Sequence, residues 1–165
     1  MTAVPIARLE PEPGPSWTEL PVPEQMLVWT MRHLLVCWPT CGSVRAALLQ
    51  AHGDEATGIE HLLRCWLAGL SLYSRRELKV GDPTCAPLLP DEATMLFALG
   101  AAAGHRDAEA ARALVELCDE PVAACLVPLA RALAEAAQLY PSCRPARSSM
   151  ISSDPPPIAL TRTSR

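Results

Sequence analysis

The sequence predicts an all-α protein, a single bundle of about five or six helices between disordered, proline-rich ends. Three observations carry that prediction. The apolar half of the chain is aliphatic, rich in Ala and Leu with one Phe and two Tyr, a mix that favours helix over sheet. Apolar residues recur at spacings of three, four and seven over several stretches, the mark of a buried helical stripe. The 17 prolines crowd the two ends and one internal segment and punctuate what lies between.

Residues 1–21 hold Pro5, Pro11, Pro13, Pro15 and Pro21, a spacing that forbids helix and favours extended, polyproline-like chain. This segment is expected to be disordered, with Trp17 as its one docking side chain. The helical domain is expected over residues 22–140. Pro23 suits a first helical turn, and Glu24 suits its positive end. The first helix should run to about Trp38, stopped by Pro39, with Leu27, Met31, Leu34, Leu35 and Trp38 as its buried stripe. Ser43 is expected to cap a short second helix from Val44 to Ala51, closed by Gly53.

Asp54 or Thr57 should open a third helix. Its stripe of Ile59, Leu62, Leu63, Trp66, Leu67, Leu70 and Tyr73 is the longest periodic signal in the chain. The pattern then stops over residues 74–90, which contain Gly81, Pro83, Pro87 and Pro90 together with Arg75, Arg76 and Lys79. A connection of that length inside a compact domain is usually functional or disordered. Asp91 is expected to cap a fourth helix reaching Ala103 and stopped by Gly104. Asp107 should cap a fifth, ending near Cys118, and Pro121 should begin a sixth, running to Tyr140 with a kink at Pro128. Small residues at Ala98, Gly100, Ala101, Ala102 and Ala103 would let the last three helices approach closely. Residues 141–165, with Pro155, Pro156, Pro157 and a Ser-rich run, read as a disordered basic tail.

Composition excludes several function classes. No apolar run reaches the roughly 20 residues that a membrane span needs. The start of the chain shows no secretion-signal pattern, so the seven Cys read as reduced, mostly buried thiols of a cytoplasmic protein. The net charge of −4 is uneven, because Arg144, Arg147, Arg162 and Arg165 face only Asp154 in the tail. The tail nets +3, the first 15 residues −1 and the rest −6. An acidic body is a poor phosphate-backbone binder, so nucleic acid is not expected as a partner. A helix-turn-helix drawn from Val44 to Trp66 would open its reading helix with Asp54, Glu55 and Glu60, which repel phosphates. No Gly-rich phosphate loop, nucleophile elbow or H-E-x-x-H motif is present. Glu116, Asp119 and Glu120 cluster at a helix junction, where capping accounts for them, and an enzyme is not the expected reading.

One pattern repeats. His33-Leu-Leu-Val-Cys37-Trp38 in the first helix and His61-Leu-Leu-Arg-Cys65-Trp66 in the third both read H-L-L-x-C-W. A His and a Cys four apart share one helical face, and two such pairs supply the ligands of a tetrahedral zinc, with Cys41 as a possible fifth. Burial of the Leu and Trp explains the repeat equally well, since His and Cys lie away from that stripe. Cys37-Trp-Pro-Thr-Cys41 has three residues between its thiols where a thioredoxin-type pair has two, and no strand precedes it.

The reading adopted is a small helical interaction or regulatory protein with a protein partner and no cofactor. Its working surface is a groove bordered by residues 74–90, with Arg75, Arg76, Lys79, Leu88 and Leu89 as the contact residues. Basic charges there would guide an acidic partner while the leucines supply affinity. The alternative is a zinc site at His33, Cys37, His61 and Cys65. Oligomeric state is left open by the sequence.

Overall fold

The computed structural model describes residues 15–37 and 41–139. Six α-helices follow in order: α1 Val22–Val36, α2 Gly42–His52, α3 Ala56–Tyr73, α4 Pro90–Ala103, α5 Asp107–Val115 and α6 Glu120–Ala136. Single 3-10 turns stand at Trp17–Glu19 and Gly53–Glu55. The fold is all-α. Among the described residues there is no strand, only isolated bridges between Ser16 and Pro87 and between Ser74 and Cys118. No described helix is long and apolar enough to cross a membrane. Trp38, residues 1–14 of the expected N-terminal segment, Tyr140 and the expected basic tail lie outside the described residues.

The N-terminal helix starts as its sequence suggests, with Pro23 and Glu24 in the first turn. It buries Leu27, Val28, Met31 and Leu34. Leu35, expected in that stripe, is 42% exposed. By helical phase it lies beside Val28 and Met31, but it lines an open groove that no described residue fills. Just upstream, residues 15–20 belong to the fold: Trp17 donates through Nε1 to the Cys85 carbonyl at 2.9 Å, and Leu88 N donates to the Pro15 carbonyl at 3.0 Å.

The second helix begins at Gly42 with Cys41 in the capping position, and no side chain caps it, so the expected Ser43 cap is replaced. It ends at Gly53, whose φ of +56° is a left-handed conformation that Gly adopts without a Cβ clash. Asp54 falls in the following 3-10 turn and opens no helix. In α3 the core is Ile59, Leu63, Trp66, Leu67 and Leu70, whereas Leu62 is half-buried and Tyr73 is 55% exposed.

Helices α4, α5 and α6 pack on one another, and α6 also packs on α3. Small residues make this possible: Ala98, Gly100, Ala101 and Ala102 of α4 and Ala123, Ala130 and Ala134 of α6 are all buried. At Gly69 of α3 an added Cβ would lie 2.8 Å from Leu126 Cδ2, which sets how closely α3 and α6 approach.

The ends of these three helices differ from expectation. Gly104 has an ordinary φ of −82°, and the left-handed residue that turns the chain is His105 at +55°. The fifth helix stops at Val115, and Leu117 and Cys118 are buried in the turn beyond it. Asp107 caps nothing, because its carboxylate pairs with Arg131 of α6. The last helix begins at Glu120, passes through the exposed Pro128 and ends at Ala136.

Candidate functional site

Residues 74–90 carry no helix, yet they are tied down from within. Arg32, on the buried face of α1, forms a two-pronged ion pair with Glu92 in the first turn of α4, Nε to Oε1 and Nη2 to Oε2 each at 2.7 Å. Both side chains are wholly buried. The remaining guanidinium hydrogens go to backbone carbonyls of the intervening segment: Asp82 at 3.3 Å, Cys85, and Pro87 at 2.8 Å. Glu92 in turn accepts from Gly81 N at 3.0 Å and from Leu89 N at 2.8 Å. Every hydrogen-bonding direction of the guanidinium fork is used, which is what lets a charge pair sit in the interior. The Glu92 carboxylate holds the Arg32 pKa above its ordinary value. The Trp17 ring lies 5.7 Å from the guanidinium carbon and closes this arrangement from the N-terminal side.

Gly81 is fitted to that cluster. A Cβ there would sit 2.7 Å from Arg32 Cζ, a plane pinned on all sides. Asp91, expected as the helix cap, is buried beside it and holds Arg76 through two hydrogen bonds of 2.7 and 2.6 Å while also accepting from Lys79 N. The Arg76 guanidinium keeps the Asp91 carboxyl below the usual carboxylate range. The cap position itself is Leu89, followed by Pro90.

The expected contact residues are therefore distributed unevenly. Arg75 pairs with Asp119 at 2.9 Å on an open surface, and Arg76 is committed to Asp91. The Lys79 side chain is exposed. Leu88 and Leu89 are half-buried, and Leu88 packs against the core. Glu116, Asp119 and Glu120 are all exposed, with Asp119 preceding α6.

Between α1, α3 and this segment runs an open groove of about 420 Å³. Its apolar wall is Leu35, Leu67, Leu78, Val80 and Met95, and Ser71, Ser74 and Glu77 complete its lining. Lys79 stands between two of the wall residues in sequence, and Arg75 follows Ser74. Sequence reasoning placed a groove beside residues 74–90 but missed its lining: Leu35 was assigned to the buried stripe of α1 by its spacing, and Leu78 and Val80 stand in a non-helical stretch with no periodicity to mark them.

The two His/Cys pairs sit in different surroundings. His33 Nδ1 lies 2.9 Å from the Trp29 carbonyl oxygen, and its ring stacks on Trp29 with centroids 4.0 Å apart. The Cys37 thiol is hydrogen-bonded to Cys41, which raises its pKa. On α3, His61 and Cys65 are both exposed, and Nε2 stands 3.6 Å from Sγ. Among the described residues no three His, Cys, Asp or Glu side chains gather as a metal-holding group, so α1 and α3 do not bring their pairs together. All six described cysteines are free thiols.

Comparison with protein-family models, with curated proteins and with solved structures finds no match for this chain.

Proposed function

We propose that this chain is a cytoplasmic protein-interaction module that receives an apolar segment of a partner protein in the groove between α1, α3 and residues 74–90. The observation that carries the reading is Leu35, a core-side leucine left 42% exposed at the wall of a groove otherwise formed by Leu67, Leu78, Val80 and Met95. An open apolar channel with a polar rim is the usual receptor for the apolar face of a partner helix or strand. Lys79 beside the rim favours a partner with acidic residues flanking its apolar side chains, since such a charge raises the encounter rate. The acidic body argues against nucleic acid.

Support for a rigid receptor comes from the Arg32 and Glu92 clasp, which fixes one wall before any partner arrives and so lowers the ordering cost of binding. Photo-crosslinking in the native cell tests the reading. A benzophenone side chain replacing Leu35 should yield a discrete protein adduct that is weakened by Lys79→Glu and absent when the same probe replaces the exposed Gln50 of α2. Identical adducts from both positions would overturn it.

A further inference from the structure

The exposed pair on α3 has a geometry of its own. A zinc ion about 2.0–2.1 Å from an imidazole nitrogen and about 2.3 Å from a thiolate sulfur places those two ligands roughly 3.5 Å apart when its coordination is tetrahedral. His61 Nε2 and Cys65 Sγ stand 3.6 Å apart, already on one edge of that tetrahedron. Both are open to solvent, so a metal could reach them without any unfolding. Two more ligands are required, and among the described residues none joins them.

His61, Cys65, Ala68 and Leu72 follow one another at helical spacing along the outer face of α3, and Leu72 is 77% exposed. No charged residue interrupts that face, because Glu60 and Arg64 are paired on its flank and only partly exposed. The geometry points to a divalent soft-metal site, zinc in chemical class, formed between two copies of this chain. Each copy contributes His61 and Cys65 across a two-fold axis, giving the two His and two Cys of a closed tetrahedral centre.

Each Cys65 thiol releases its proton to solvent as its sulfur bonds the metal, and each His61 donates from a neutral ring that keeps its proton on Nδ1. Two bodies that each net −6 repel one another, so the association depends on the metal and is not constitutive. This inference uses a different face from the Leu35 groove and stands or falls without it.

Titration of the full, reduced chain with Co²⁺ as the probe tests it. Tetrahedral cobalt bands with sulfur-to-metal charge transfer should grow to saturation at one metal per two chains, while sedimentation shows monomer converting to dimer. Zn²⁺ should bleach the bands and keep the dimer. His61→Ala and Cys65→Ser should each lose both signals with the helical circular dichroism unchanged, and His33→Ala and Cys37→Ser should keep both. Saturation at one metal per chain, a dimer that persists in chelator, absence of the bands, or equal loss in the α1 variants would each overturn the proposal.

Discussion

The string H-L-L-x-C, His33 to Cys37 at the end of α1 and His61 to Cys65 within α3, is used in two different rotations. On α1 the first leucine of the string, Leu34, is wholly buried and the second, Leu35, is exposed at the groove. On α3 the order is inverted: Leu62 is half-buried and Leu63 is wholly buried. The residue before each His differs even more. Arg32 is enclosed with Glu92, whereas Glu60 pairs with Arg64 one turn along the same helix. Flanking residues set the phase. Met31 and Val28 turn α1 by one arrangement, and Ile59, Leu67 and Leu70 turn α3 by another. A repeated string is therefore evidence of shared composition, and its chemistry follows the face that its neighbours leave outward.

The largest expected effect separates Arg32 from Glu60. Arg32→Met leaves the Glu92 carboxylate buried without its partner, a loss of about 3–5 kcal/mol. Glu60→Gln removes a pair along one helix and should cost less than about 1 kcal/mol. Urea unfolding of both variants checks this. Similar midpoints for the two would show that the clasp contributes nothing beyond a surface pair.

A second contrast sharpens the rotation itself. Leu34→Ala and Leu63→Ala should each cost about 2–5 kcal/mol, because each empties a filled core position. Leu35→Ala should change stability by less than about 0.5 kcal/mol, as for substitutions outside the core. Denaturant midpoints that rank Leu35 with Leu34 would place the groove wall in the core after all.

These contrasts mark what the sequence could and could not convey. The helices were legible because their apolar spacing is local, and the close packing of α4, α5 and α6 was legible from Ala98 to Ala102. The clasp was not. Arg32 and Glu92 are 60 positions apart, and an ion pair at that separation has no periodic trace. Asp91 read as a helix cap with the helix opening at Glu92, although both side chains turn inward. Arg32 falls beside the predicted stripe, and only the burial of Val28 one turn earlier shows that its position faces inward, where an unpaired charge could not remain. Residues 74–90 looked like a free loop for the same reason, since their hydrogen-bond partners lie on other elements. The position of His61 and Cys65 away from the stripe was legible, but their isolation from His33 and Cys37 required the packing of α1 against α3.

A smaller effect follows acidity, and it concerns the segment that α1 holds. Because Arg76 depresses the Asp91 carboxyl in the folded protein, the pair contributes stability above the ordinary Asp range. That contribution is lost as pH falls through the lowered folded value, below about 4. Asp91→Asn should therefore lower the urea midpoint at pH 7 and flatten its fall on the acid side. An unchanged acid profile in the variant would assign that fall to other carboxylates.

The finest distinction lies between the two thiols of the repeated string. Alkylation requires the thiolate, so a raised pKa slows it at a given pH. Cys37 is raised by its hydrogen bond with Cys41, and it is only partly exposed. Cys65 is exposed beside His61, and Cys125 is exposed on α6. Burial pushes the Cys118 thiol up and also shuts out the reagent. Among these four thiols, iodoacetamide at pH 8 should consequently label Cys65 and Cys125 first, Cys37 several-fold more slowly and Cys118 last, as followed by mass spectrometry of peptides from timed samples. Cys41→Ser should change the Cys37 rate and leave that of Cys65 alone. If Cys37 reacted as fast as Cys65 in the unaltered chain, the two copies of the string would be chemically alike despite their different rotations, and the contrast drawn between α1 and α3 would hold for packing only.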